Sequence, residues 1–236
     1  RSVLRGFLEA FFSGAWAFAL GALLCGAAVA LSQSRGGAAA AVLGVIALGA
    51  AHFSRSGSGS GHGQVVLWLV LAAIFGIVVA ILGSGTLDRL MAEDAVGARG
   101  IIYATIIEHL GDRPWLGHGA GAFHDTFRPH VPLEAATAEW DMAHNSYLEN
   151  AWELGLPAAV LFYLALSLAL LRFIRGLSVR GSEVGLPAMA LSVTVVAAAH
   201  ATVDFSLQMP ATAALFAAIL GIGWAQSFGR RDRASR

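Results

Sequence analysis

Apolar residues in this chain gather into long runs separated by short polar turns, with a single long polar interval. Runs near the roughly 20 residues that carry a helix across about 30 Å of hydrocarbon fall at 11–31, 37–53, 65–83, 155–171, 185–203 and 209–226. Each reads as a membrane-spanning helix. The second is rich in Ala and interrupted by Gly44 and Gly49, which a membrane helix tolerates because small residues let neighbours approach closely. The first ends in Ala28-Val29-Ala30, the small-x-small form of a cleavage site. Its apolar length exceeds the roughly 7 to 15 residues of a signal-peptide core, so it reads as a span. The chain opens at Arg1 without a Met, and further membrane helices are expected upstream.

Composition agrees with this pattern. Of 236 residues, 57% are hydrophobic and only 13% charged, and the mean hydropathy of +0.68 excludes a soluble monomeric domain. With 28 Gly but 6 Pro, neither disorder nor a collagen repeat fits. The single cysteine, Cys25, rules out a disulfide framework. Formal net charge is zero, so no polybasic nucleic-acid surface is implied. All fifteen basic residues are Arg. With the abundance of Ala and Gly, this is what codon usage in a GC-rich genome produces.

Those arginines set the orientation. Ten fall on one side of the expected spans, at Arg1, Arg5, Arg55, Arg172, Arg175, Arg180, Arg230, Arg231, Arg233 and Arg236. The other side holds Arg35, Arg89, Arg99, Arg113 and Arg128. The positive-inside rule then puts both termini in the cytoplasm and the long interval outside. In a bacterium that is the periplasm, which lacks ATP and nucleotide sugars. The chain divides into three spans over 1–83, a periplasmic loop over 84–154, and three spans with a basic tail over 155–236.

The loop holds eleven of the fifteen acidic residues and five of the eight histidines, His109, His118, His124, His130 and His144. Loops this long are functional or disordered, and this one is patterned. Ile101, Ile102, Thr105, Ile106 and Leu110 predict an amphipathic helix over 98–110 near the membrane surface. A second helix is predicted over 138–154, with His144, Tyr147, Leu148, Ala151 and Gly155 on one face and Asn145, Glu149 and Glu153 on another. The Glu149 and Glu153 pair reads as a solvated or helix-orienting face rather than an acid/base pair. Between the helices, residues 111–121 form a Gly-rich turn. Its GxGxG spacing is not a nucleotide loop, since it follows no strand and precedes no Lys-Ser/Thr. It reads as a tight backbone path, with Trp115 and Leu116 as interface anchors. No His pair has helical HxxxH spacing and no Cys accompanies them, so a zinc site is not expected.

The stretches LSQSRGG at 31–37, ARGII at 98–102, PWLGHGAGAF at 114–123 and AHNSYLENAWELG at 143–155 together resemble the O-antigen ligase and polymerase superfamily of bacterial membrane glycosyltransferases. They resemble its SRG turn, its Arg-containing helix, its PxxGxGxGxF loop and its HNxYLxxxxExG signature. The VDFSLQMP stretch at 203–210 is similar to that group too. The resemblance runs over about residues 30–225 and implies an all-α, polytopic, GT-C-like membrane bundle in the bacterial inner membrane. It also implies a donor glycan on undecaprenyl pyrophosphate, transferred at the periplasmic face to a hydroxyl of lipid A core, of another glycan or of a protein, without metal or cofactor. By matching position, Arg35 and Arg99 would bind the pyrophosphate and His144 would be the catalytic base. Asn145 and Tyr147 beside it are supporting polar groups, and His118, His124 and Arg128 are acceptor-side candidates. The 128–140 stretch matches no family pattern, which leaves the acceptor open.

The residue types suit such chemistry. Guanidinium is always charged and forks onto phosphate oxygens, so it can neutralise a leaving group electrostatically. A neutral imidazole can take the proton of the attacking hydroxyl, for roughly 10² to 10⁴ in rate. Direct attack inverts the anomeric centre. Each residue also has a plainer reading: Arg35 could snorkel to headgroups, Arg99 could pair with Glu93 or Asp94, and His144 could cap or pack. His200 and Asp204, at i and i+4 near the outer end of a span, form either a buried structural pair or a group at the substrate. They are also what a proton-coupled transporter would use. A lipid-linked glycan flippase is the other alternative, and ligase and polymerase are not separable from the residues.

Overall fold

A computed structural model describes residues 15–53, 93–136, 138–179 and 184–228. Among these residues every regular element is helical. In chain order they are α1 (Ala15–Leu31), α2 (Arg35–Phe53), α3 (Glu93–His109), α4 (Phe123–Phe127), α5 (Ser146–Leu154), α6 (Leu156–Val179), α7 (Gly185–His200) and α8 (Pro210–Gln226). Short 3-10 turns lie at Leu110–Asp112, Arg128–His130, Leu133–Ala135 and Ser206–Gln208. The expected span at 65–83 lies outside the described residues, as do 11–14 of the first.

Among the described residues, two helices are long and apolar enough to cross a membrane, Arg35–His52 and Leu156–Ser178, and three shorter apolar ones run Leu20–Leu31, Gly185–His200 and Pro210–Gln226. The helix expected to end at 171 continues to Val179. Arg172 and Arg175 break the apolar run, but Phe173, Gly176 and Leu177 stay buried and keep the helix seated. The Arg172 guanidinium lies 3.8 Å over the Phe228 ring, which accommodates its charge. Conversely α7 stops at His200 rather than 203, because the Val203 N–H turns back onto the His200 carbonyl at 3.0 Å. Pro210 opens α8, where its missing N–H costs nothing.

The helix α7 sits at the centre of the apolar layer, packed on α2, α8 and α6. Small residues permit the close crossings. A Cβ at Gly44 would collide with Val196, and the Gly44 carbonyl instead accepts from Ser192 Oγ at 2.7 Å. Gly223 of α8 allows the same approach to Ala190. The outer faces carry Leu161, Leu168 and Leu215, each more than 60% exposed, which suits hydrocarbon rather than water.

A second, smaller layer joins α3, α4 and α5 around Ile102, Ile106, Phe123, Phe127 and Trp152, all at most 1% exposed. The helix expected over 98–110 is present and begins earlier, at Glu93, with Ile102, Thr105 and Ile106 as its buried stripe. The helix expected over 138–154 is shorter. It starts only at Ser146, so His144 precedes it and shares no helical face with Tyr147. The physical reason is Asn145. In an extended conformation, its side-chain oxygen accepts from the N–H groups of Tyr147 at 3.0 Å and Leu148 at 3.1 Å, a complete N-cap.

Candidate functional site

Four sequence segments meet where α5 docks on the end of α7. The last carbonyls of a helix lack intrahelical donors, and the start of α5 supplies donors to one of them and to the turn that follows α7. The Ser146 N–H donates to the Ala201 carbonyl at 2.9 Å, Asn145 Nδ2 to the Thr202 carbonyl at 3.0 Å, and the Tyr147 hydroxyl to the Ala198 carbonyl at 2.9 Å. Ser146 Oγ donates to the Asp204 carbonyl at 3.0 Å. The Tyr163 hydroxyl of α6 closes the joint, donating to the Ser146 carbonyl at 3.0 Å.

His144 stands at the head of this joint. Its φ is +52°, a left-handed conformation that non-glycine residues rarely adopt, and its carbonyl accepts from the Tyr103 hydroxyl at 2.7 Å. The half-buried imidazole sits edge-on between Trp140 and Phe205, with centroids 6.0 and 4.9 Å away. Burial holds it below the ordinary histidine range. The positive charge of Arg99 lowers it further, and the Asp204 carboxylate opposes both. The same two charges reach Tyr103, whose hydroxyl is pushed up chiefly by burial. Arg99 and Tyr103 lie one turn apart on α3, so one helix carries both toward His144.

Asp204 also meets His200, Oδ2 to Nε2 at 3.3 Å. The pair expected at i and i+4 therefore forms, although Asp204 lies in the turn beyond α7. Ser206 Oγ contacts His200 Nδ1 at 3.0 Å, and the Phe205 N–H donates to Asp204 Oδ1 at 2.7 Å. The SRG turn abuts this pair. Ser34 caps α2 by accepting from the Gly37 N–H at 3.1 Å, which places Arg35 in the first helical turn, half-buried. A Cβ at Gly36 would come within 2.5 Å of Val203, and one at Gly37 within 3.6 Å of His200 Nε2. The two glycines thus let the Arg35 turn lie against the end of α7. An apolar cavity of about 300 Å³ runs from here between α1, α2, α7 and α8, with His200 and Ser206 as its polar end.

The Gly-rich turn is the tight path its spacing predicts, and it is laced to the C-terminus of α5. The His118 and Gly119 N–H groups donate to the Trp152 and Glu153 carbonyls at 3.0 and 2.9 Å. Gly117 (φ +61°) touches the Glu153 carbonyl where a Cβ would need to be, and Gly155 (φ +77°) meets Trp115 equally closely. Trp115 and Leu116 are 75% and 86% exposed, free to enter an interface. His118 stacks on Trp152 at 4.2 Å with its Nδ1 on the Trp152 carbonyl. Trp152 lies about 9 Å along α5 from its first residue, Ser146, at about 1.5 Å per residue, so His118 sits toward the opposite end of that helix from His144, and His109 and His130 belong to the same aromatic cluster. His124 lies 3.2 Å from Asp125 and 3.5 Å from Asp141. Arg128 is exposed at the start of a 3-10 turn. The structure thus gathers Arg99, His144, Asn145, Tyr147, His200, Asp204 and the Arg35 turn, and leaves His118 and Arg128 apart.

Glu149 and Glu153 are not solvated. They are 2% and 8% exposed, because two loop N–H groups need acceptors in the interior. Glu149 Oε2 accepts from the Ala143 N–H at 2.7 Å and Glu153 Oε1 from the Phe123 N–H at 3.0 Å. Burial, with the Glu153 charge nearby, pushes the Glu149 carboxyl up to about 7, against the Ala143 bond that lowers it. Sequence reasoning missed this clamp and Tyr103. The i to i+4 spacing of Tyr103 from Arg99 was the available signal for the latter. Among the described residues, no group of three or more His, Cys, Asp or Glu is arranged to hold a metal.

Compared with known families, residues 20–163 match the family model described as O-antigen ligase. No curated protein and no solved structure matches the chain.

Proposed function

Because the chain belongs to the O-antigen ligase family, we propose that it is an inner-membrane glycosyltransferase that moves a glycan from undecaprenyl pyrophosphate to an acceptor hydroxyl at the periplasmic face. The observation that carries this reading is the surroundings of His144. An imidazole held below its ordinary range is neutral at working pH and ready to accept a proton, and it lies within the fields of Arg99 and of Asp204, whose partner His200 abuts the turn that carries Arg35.

In this reading the acceptor hydroxyl attacks the anomeric carbon as His144 takes its proton. The new bond joins that carbon to the acceptor oxygen, and the bond to the phosphate oxygen breaks with inversion. Undecaprenyl pyrophosphate departs with the bonding electrons. Arg99 and Arg35 stabilise the charge growing on it, as preorganised cations do at a leaving group. The positive end of α2, at Arg35, adds to that field. The prenyl tail takes the apolar cavity that starts at His200 and Ser206, and Asp204 stabilises the imidazolium that forms. Arg35, Arg99 and the loop face the periplasm, and both ends of the segment face the cytoplasm.

A polymerase of the same superfamily uses the same donor and chemistry, and differs only in the acceptor. The two are separated by reconstituting the full-length protein in liposomes with undecaprenyl pyrophosphate-linked glycan and offering lipid A core or a second lipid-linked glycan. Product on lipid A core marks a ligase and lengthened lipid-linked glycan a polymerase. Transport of the donor without transfer to either would reject the transferase reading and favour a flippase.

A further inference from the structure

A cavity of about 480 Å³ opens beside α5, lined by His124, Asp141, Met142, Glu149, Glu153 and Gln208 among others. Its size suits a small polar ligand. Its polar groups are incompletely used. Glu149 and Glu153 each commit one oxygen to a backbone N–H, and the other oxygen of each has no partner among the described residues. Gln208 is more marked, since neither its Nε2 nor its Oε1 is accessible to solvent or hydrogen-bonded. A buried amide with both halves unsatisfied is costly, and Gln208 lies in the wall of this cavity. His124 and Asp141, 3.5 Å apart, stand at the exposed rim.

The lining selects the chemistry of that guest. Two buried carboxyls repel an anion, and among the described residues no group of three metal-ligating side chains is arranged for a cation. An apolar guest would leave the amide and both oxygens unsatisfied. A neutral polyhydroxyl compound satisfies them all: carboxyl oxygens accept from hydroxyls, and an amide both donates and accepts. The Glu149 carboxyl, pushed up to about 7 by burial, is partly neutral near physiological pH and can also donate.

We propose that this cavity is a sugar-ring subsite, in which Glu149, Glu153 and Gln208 bind ring hydroxyls of a glycan substrate. The wall formed by Asp141 and Met142 runs directly into Ala143 and His144, so a sugar seated here lies beside the backbone that positions the base. The proposal rests on the transferase reading and adds to it a site for glycan, whether that glycan belongs to the acceptor or to the donor.

The test is saturation-transfer NMR on the full-length protein in detergent, probed with free lipid A core oligosaccharide and with glycan released from the lipid-linked donor by mild acid. Two variants are compared with wild type. Gln208→Leu removes an amide without a hydrogen-bond partner among the described residues, and Met142→Trp adds bulk at the cavity wall while keeping both carboxylates in the sequence; unchanged melting temperatures confirm the fold. One or both sugars should show contact with wild type and with His144→Ala, and bind about tenfold or more weakly to Gln208→Leu and Met142→Trp, the loss expected for a bidentate buried contact. The KM that rises in parallel, for acceptor or for donor, identifies which glycan occupies the subsite. Sugar binding that is absent from wild type, or unchanged in both variants, overturns the proposal. Binding that depends on the cavity in a protein that transfers nothing leaves the subsite standing and rejects the transferase reading instead.

Discussion

The Tyr103 hydroxyl donates to the carbonyl of His144 at 2.7 Å, so a side chain on α3 fixes the backbone of a residue 41 positions away in a conformation that backbone sterics disfavour. A left-handed non-glycine residue persists only where its surroundings over-determine it, and Tyr103 is one of the groups that do so. Tyr103→Phe removes only the oxygen. It should lower stability by about 0.5 to 1.5 kcal/mol and reduce kcat for transfer while leaving donor KM near wild type, because the imidazole is displaced and the arginines are not. Steady-state kinetics on the reconstituted enzyme check this split.

Glu149 makes stability depend on pH in a defined direction. Its folded value of about 7 lies above the ordinary 4.5, so the folded protein holds this proton more tightly than the unfolded chain. The contribution is fully present below about pH 4.5 and is lost as pH rises through about 7. Glu149→Gln keeps an acceptor for the Ala143 N–H and cannot ionise, so thermal melting in detergent should show a flatter pH dependence across that window. Glu149→Ala orphans the Ala143 N–H and should cost about 1 to 3 kcal/mol at low pH, where the carboxyl is neutral, and less as pH rises through about 7, because the variant has no carboxyl to ionise.

Asn145 has two structural tasks, capping α5 and holding the Thr202 carbonyl. Replacing it with Ala should cost about 1 to 2 kcal/mol. Asn145→Asp keeps the cap, and its charge suits a helix N-terminus, but it has no N–H for Thr202, so it should restore most of the melting temperature and not all. Equal melting of the two variants would show that the cap contributes nothing.

The pH profile of transfer reports the electrostatics around the base. With His144 held below the ordinary histidine range, the acidic limb should fall below about pH 6.5. Asp204→Asn removes the charge that favours the imidazolium and should move that limb to lower pH; Arg99→Gln should move it higher. Both shifts are read from the position of the limb, independently of the loss of rate.

The apolar runs made most of the helices legible, because burial in hydrocarbon leaves a strong one-dimensional signal. Their ends were less legible. Arg172 and Arg175 look like a stop, yet α6 continues past them, since one guanidinium finds the Phe228 ring. Of the candidate residues read from the sequence, His144, Arg99 and the His200 and Asp204 pair lie near one another in the fold, whereas His144 precedes the helix that its spacing predicted it to share. Asn145 followed by Ser146 is an N-cap signal that the apolar periodicity of 147–155 obscured. Glu149 and Glu153 read as a solvated or helix-orienting face, and polar spacing alone does not decide between the two because it does not show which loop N–H groups lie above them. Only the folded path of 121–123 and 141–143 brings those donors to the two carboxylates.

The central claim is that His144 accepts the acceptor's proton, and it is tested by comparing wild type with His144→Ala in the full-length protein, reconstituted with undecaprenyl pyrophosphate-linked glycan and acceptor in the presence of EDTA. Metal-independent transfer by wild type that is lost in the variant by about 10² or more, with donor binding retained, is the predicted result. Transfer that survives the substitution would contradict it and place the base elsewhere.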